Sequence, residues 1–409
     1  MTHPFPPPHI QPLERLQASD GLLINAERWS KAHEYHRLRQ NTHYQSLNQP
    51  GIVCGLGVRP IPAPRQFEAK YRDGRWGWVQ IQPGIAIDMN GNLIVVPTSY
   101  DFPIDLEVAT SEPLMIYLVV SYVDPNELRR GNLGKLSASQ PRDVVQETYR
   151  IDQRNSTPDV SEIEICRILL EPGQNSISQP ADAFYPGYNN TDLRYRRHAQ
   201  ARPQALIKIA QVSHRDGEYA RNFFNLAYLL QSVEPLYPNL RGADEPSEVS
   251  LSENIQEYDL LYLTGKESLS LNNFELESLK NYFNLGGTLL IDAPLDANAL
   301  IESTHALAQQ LENPLRPLTE LRRSHPLRTK PFLFAALPII NQQLIQLFLG
   351  GGIILIVGDL ASAWGVDREF NLPRLTIRTA QELGINILNY ACQRRKLIGL
   401  QQEDSSGKW

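Results

Sequence analysis

The stretch YDLLYLTGKESLSLNNFELESLKNYFNLGGTLLIDAP, residues 258–294, most narrowly limits what this chain can fold into. It opens with an apolar run too continuous for a half-exposed element, which is a buried strand. Asn272 then stands where a helix N-cap is needed, with Glu275 three residues on to complete a capping box. Leu276, Leu279 and Phe283 form one apolar stripe, and Gly286-Gly287 ends the helix. TLLIDAP is the next strand. LDANALIESTHALAQQL, GGIILIVGDL and a final helix marked by Ala380, Leu383, Ile387 and Tyr390 continue the alternation of a layered α/β domain. Upstream, ALIKIAQV is expected as a strand and ARNFFNLAYLLQSV as a helix.

The first half has a different texture. A helix is expected after Asn25, through AERWSKAHEYHRLRQNTHYQSL. Strands follow at 79–89, 93–96, 114–122, 146–151 and 162–170, separated by loops rich in Pro, Gly and Ser. PGIAIDMNGNLIVVP has the acidic and amide residues of a cation loop, but Leu93 and Ser99 stand where such a loop needs glycine and glutamate. A hairpin with a two-residue turn at Asn90-Gly91 explains it better, setting Ile87 opposite Ile94 and Ile85 opposite Val96. The expected fold class is therefore a two-domain α and β protein. It has a mainly β N-terminal domain with one N-terminal helix, and a three-layer α/β C-terminal domain of Rossmann-like or flavodoxin-like kind. The expected layout is a Pro-rich extended arm (1–17), a β assembly domain (18–178), a linker (179–204), the α/β domain (205–396) and a polar tail (397–409).

A net charge of −6 and a pI near 5.9 argue against a general nucleic-acid binder. No secretory pattern opens the chain, and its longest apolar run, 347–357, holds three glycines and is too short to span a bilayer. Cys54, Cys166 and Cys392 are scattered and odd in number, which suits a reducing compartment. A cytoplasmic protein is expected.

Candidate chemistry is sparse. Gly265-Lys266 follows a strand, but a phosphate loop would need glycine at Leu260 and Ser or Thr at Glu267, so a strand-to-helix turn is expected. Gly265, Asp292 and Asp359 end strands where open α/β sheets hold small ligands. The competing role for an Asp there is capping the next helix. Trp29, His33, His36, Gln40, His43 and Leu47 share one face of the first helix. His33, His36 and His43 could bind zinc, yet no fourth ligand is implied, and a face packed on the sheet or on a partner competes with that reading. Cys54 is expected to be a small buried side chain at a strand start. Cys392 is expected at the end of the last helix, where Arg394 and Arg395 could lower its pKa, but no nearby His serves as a base. Arg194, Arg196, Arg197 and His198 form a basic patch at the inter-domain join, expected as solvated linker or an acidic partner's docking point. No cofactor and no metal are expected.

DGLLINAERWSKAHEYHRLRQNTHYQSLNQPGIVCGLGV, followed by VQIQPGIAIDMNGNLIVV and IYLVVSYVD, resembles a domain of phage-tail-like contractile injection systems. Asp20, Gly21, His36, Arg37, Gly51, Cys54, Gly55, Leu56, Val58, Pro83, Gly84, Ala86, Asp88 and Gly91 carry the likeness, which covers about residues 18–200. Residues 257–294, with ELGINILNYA, resemble an uncharacterised α/β domain of the glutamine amidotransferase-like group. That group places a catalytic Cys on a sharp strand-to-helix turn, where this chain reads LLIDAP and offers no thiol. The resemblances imply a non-enzymatic structural or adaptor component of a contractile injection particle, at its baseplate end or periphery. Its partners would be other subunits of that particle, in multiple copies, with any membrane contact indirect. The alternative is a small-ligand or enzymatic α/β domain using the crevice at Gly265, Asp292 and Asp359.

Overall fold

The computed structural model describes residues 12–65, 75–109, 112–124, 147–174, 176–213, 220–242, 246–340, 342–365 and 372–406. They form two compact units divided between Arg202 and Pro203. The arm's residues 1–11, the loop 125–146 and residues 407–409 lie outside the described residues.

The first unit opens with α1 (Ala26–Leu47), capped by the Asn25 side chain, which accepts from the Arg28 N–H at 2.9 Å. Among the described residues nine strands follow: β1 (Gly51–Gly55), β2 (Val58–Pro60), β3 (Trp76–Ile81), β4 (Gly84–Ile87), β5 (Leu93–Val96), β6 (Tyr100–Asp105), β7 (Leu114–Val123), β8 (Thr148–Arg154) and β9 (Ile163–Leu170). They pair as three small antiparallel sheets, β1-β4-β5, β2-β3-β6 and β8-β7-β9, around one core that includes Ile52, Leu56, Val79, Ile81, Ile116 and Ile168. The expected strand 79–89 is two strands. Pro83 has no N–H to carry a ladder, so β3 ends at Ile81 and β4 starts a different sheet.

The hairpin differs from expectation by one residue. Asp88 N–H donates to the Asn92 carbonyl (3.1 Å), Gly91 N–H donates to the Asp88 carbonyl (3.1 Å), and Gly91 alone in the loop has positive φ, at 76°. This is a three-residue loop with the glycine in the left-handed position. It sets Ile85 opposite Val95 and Ile87 opposite Leu93. The Asp88 carboxylate decides the outcome, accepting from the Asn92 backbone N–H (2.8 Å) and side-chain amide (2.9 Å). Its burial raises its pKa against those hydrogen bonds.

The expected linker 179–204 contains a strap held on the first unit. Gln49 N–H donates to the Gln200 carbonyl, Ile52 N–H to Arg197, Ala199 N–H to Ile52, and Arg202 N–H to Leu47, all between 2.8 and 2.9 Å. These four hydrogen bonds join residues more than 140 positions apart in sequence.

The second unit contains β10 (Ala205–Ile207), β11 (Ile209–Val212), α2 (Ala220–Leu236), β12 (Leu240–Gly242), β13 (Ser247–Val249), β14 (Leu260–Thr264), α3 (Asn273–Asn284), β15 (Thr288–Ala293), α4 (Asn298–Gln310), β16 (Arg316–Pro317), α5 (Pro326–Thr329), β17 (Ile339–Ile340), β18 (Gln343–Leu344), β19 (Gln346–Gly350), β20 (Ile353–Val357) and α6 (Arg374–Ser406). ALIKIAQV breaks at Lys208, whose carbonyl accepts from Asp259 and Leu260. Only β11 therefore enters the main sheet, ordered β13-β11-β14-β15-β20-β19-β16, while β10 pairs with β12. The first five strands of that order are parallel, and β19 and β16 add antiparallel pairs.

Residues of β14, β15 and β20 alternate between two cores. Leu260, Tyr262, Leu290 and Ile354 join α2 and α6, whereas Leu261, Leu263, Leu289 and Leu355 join α3 and α4. The predicted capping box of α3 is present, with Asn272 accepting from Glu275 N–H and Glu275 accepting from Asn272 N–H, both at 2.9 Å. The expected polar tail begins as helix, because α6 continues to Ser406. No helix among the described residues is long and apolar enough to cross a membrane.

Gly91 joins the hairpin to α1, since a Cβ there would collide with the Asn41 backbone. Gly91→Ala is expected to cost about 1–3 kcal/mol through strained backbone and that collision. The urea midpoint should fall with an unchanged m-value.

Candidate functional site

The sheet's carboxyl edge brings the three candidate crevice residues together. β14, β15 and β20 are neighbours, with Thr264 opposite Asp292 and Asp292 opposite Ile356. Gly265 ends β14, and Gly358 and Asp359 leave β20 while both donate to the Ala293 carbonyl (2.9 and 3.3 Å). Asp292 is fully buried. Its Oδ1 accepts from Leu360 N–H (2.9 Å) and its Oδ2 from Ala361 N–H (2.7 Å). It therefore caps a helical turn, but that turn is the 3₁₀ segment Leu360–Ala363 that follows the neighbouring strand β20, and not α4. The N-cap of α4, Ala297, has no side-chain hydrogen bond.

Burial pushes the Asp292 carboxyl up to about 7, with the neighbouring Asp359 charge as the second cause, against the two backbone donors. Burial also raises Asp359, which sits in the left-handed region at φ 55°, and the Asp296 charge adds to that shift. Asp359 Oδ1 is buried without a hydrogen-bond partner among the described residues. The fully buried Tyr262 hydroxyl lies beside Thr264 and Asp292 but reaches hydrogen-bond geometry with neither, and its pKa stands well above the ordinary phenol value. Thr264 Oγ1 instead donates to the Asp292 carbonyl at 2.7 Å.

Sequence reasoning missed Tyr262 and Thr264. Their signal was the strand's period of two, which puts both on the face of Asp292 once neighbouring strands are parallel. Burial thus holds both acids toward protonation. Yet Asp292 is sealed behind the turn it caps. The strand order changes direction between β11 and β14, and Gly265 alone of the three candidates flanks that switch point.

The remaining candidates disperse. Lys266 pairs with Asp296 at 2.6 Å, so the Gly265-Lys266 turn is tied to an acid. His33, His36 and His43 are all exposed on α1. Among the described residues no group of three His, Cys, Asp or Glu is placed to hold a metal ion. Cys54 is exposed, not buried, because β1 bulges between Ile52 and Cys54.

Cys392 lies in the middle of α6, and burial pushes its thiol up to about 12, opposite to the expected lowering. Its neighbours Arg394 and Arg395 are turned to backbone carbonyls, at Gly287 and Gln256. The basic patch is anchored too: Arg194 pairs with Asp192 at 2.8 Å, and Arg196 donates to the Gly55 carbonyl at 2.5 Å. Residues 208–392 match the model of a domain of unknown function (DUF4159). No curated protein matches the chain.

The Asp292 latch has a pH signature. Its carboxyl binds a proton more tightly folded than unfolded, so its contribution is full below about pH 4 and is lost as pH rises through about 7. Asp292→Asn removes that titration and one of the two acceptors. Its stability penalty should therefore be larger at pH 5 than at pH 8 in paired urea titrations. Asp292→Ala leaves both buried N–H groups unpaired, at a cost of about 1–3 kcal/mol for each.

Proposed function

We propose that the chain is a non-enzymatic structural or adaptor subunit of a contractile injection particle, at its baseplate end or periphery. The particle rests on the resemblance of residues 18–200, and the observation behind the non-enzymatic half of the reading is the occupation of Asp292. The acid standing where α/β enzymes put their chemistry has both oxygens committed to backbone N–H groups of Leu360 and Ala361. A residue so held fixes a turn and leaves no exposed reactive group.

The second unit fits a three-layer, flavodoxin-like plan, with strand order 2-1-3-4-5 extended by two antiparallel strands. In the glutamine amidotransferase-like reading, Asp292 stands at the strand end in place of a thiol. The mainly β unit would dock on the particle and the α/β unit would bridge to neighbours. The particle would be cytoplasmic, with membrane contact through partners only.

A second reading, a small polar ligand at the carboxyl edge, is favoured by the unpartnered Asp359 Oδ1 and Tyr262 hydroxyl.

Native purification of a tagged chain from its host, with sedimentation and negative-stain imaging, tests the first reading. Co-sedimentation with sheathed particles, with label at one end, is expected. A chain that sediments only as a free species of a few copies overturns it. For the second reading, a metabolite panel should raise the melting temperature of the wild type but not of Asp359→Ala.

A further inference from the structure

The two edges of the second unit's main sheet carry opposite charge. β13 closes the sheet at one edge and β16 at the other. The β13 edge is acidic: Glu248 stands exposed on the strand itself, and Glu253 and Glu257 are exposed in the turns that follow. From Gly242 to Gly265 the sequence holds no Lys, Arg or His. The β16 edge is basic. Arg316 is exposed on that strand, and Arg322, Arg323 and Lys330 are exposed on the segment that runs from it back into β19. From Leu321 to Gly358 the sequence holds no Asp or Glu, a local exception in a chain of net charge −6.

Neither patch is neutralised within its own copy. Lys208 reaches Glu257 at 3.6 Å, but among the described residues Glu248, Glu253 and the four basic residues enter no ion pair. Six strand spacings separate the edge strands, about 29 Å and roughly three Debye lengths at 0.1 M salt, so one patch cannot screen the other. Charge commonly blunts sheet edges, and like charge on both edges keeps copies apart. Opposite charge on opposite edges does the reverse, making each edge complementary to the far edge of another copy.

We propose that copies of the chain pack head to tail through these edges, the Glu248 edge of one against the Arg316 edge of the next. The inference rests on the multi-copy assembly reading above and supplies the contact by which the second unit bridges to a neighbour. The contact is heterologous, so it repeats, closing a ring if the rotation between copies closes and continuing as a line if it does not. Pro317 has no N–H for a ladder, so the pairing is made by side chains and not by a continuous sheet. The basic segment also exposes an apolar cross-strand pair on the β17–β18 hairpin, Ile339 (61%) opposite Leu344 (56%). That pair gives the contact an apolar patch to bury beside its charges.

Sedimentation velocity of the purified full chain over a concentration series tests the proposal. The wild type should self-associate at low salt and dissociate as salt is raised. Arg322→Glu with Arg323→Glu should raise the dissociation constant about tenfold or more, as should Glu248→Lys with Glu253→Lys. Both double variants should keep the wild-type circular dichroism spectrum. Mixing them should restore association, because each still carries one native edge. A chain with all four substitutions should associate with itself, its polarity reversed.

A wild type that stays monomeric at low salt overturns the proposal, even if its basic edge holds phosphatidylserine vesicles. Double variants that associate undiminished overturn it too. So does a failure of the reversed edges to recover association, in the mixture and in the fourfold variant alike. Head-to-tail association of a wild type that never enters sheathed particles overturns the particle reading alone.

Discussion

The second unit depends on the two hydrogen bonds from Leu360 and Ala361 N–H to Asp292. They fix the chain as it leaves β20, where Gly358 (φ 129°) and Asp359 (φ 55°) turn it sharply. That turn delivers Trp364 into the core, against Tyr262 at 5.9 Å between ring centroids. The indole N–H donates to the Ala380 carbonyl and Gln381 donates to the Trp364 carbonyl, so the same residue positions α6. Strand, turn, indole and helix form one chain of dependence that starts at a carboxylate. A buried acid is costly unless its oxygens are satisfied, and here the satisfaction is also the architecture.

This dual use separates what the sequence disclosed from what it hid. The α3 capping box was legible because its two partners are three residues apart and use only local backbone. The alternation of β14, α3, β15 and α4 was legible for the same local reason. The Asp292 cap was not, since its acceptor and donors are separated by 68 and 69 residues and meet only after the parallel sheet has formed. Capping was the right chemistry for Asp292, but local reasoning assigned it to the next helix.

The hairpin shows a subtler limit. Asn90-Gly91 signals a turn correctly, yet two- and three-residue loops use the same letters. The choice between them lay with Asp88, whose carboxylate closes the longer loop around Asn92. The burial direction of α1 was illegible for another reason. A seam of Trp, His, Gln and Leu looks like the side that packs inward, and periodicity gives a face without saying what covers it.

The strap 197–202 has a mechanical consequence. It is hydrogen-bonded to Leu47, Gln49 and Ile52, at the base of α1, and the chain enters the second unit at its very next residue, Pro203. The stretch that leads into the second unit is therefore fastened both to the end of α1 and to the first strand of the β core. α1 is in this sense a rod clamped at its C-terminal end, and its clamp is the tether to the rest of the chain.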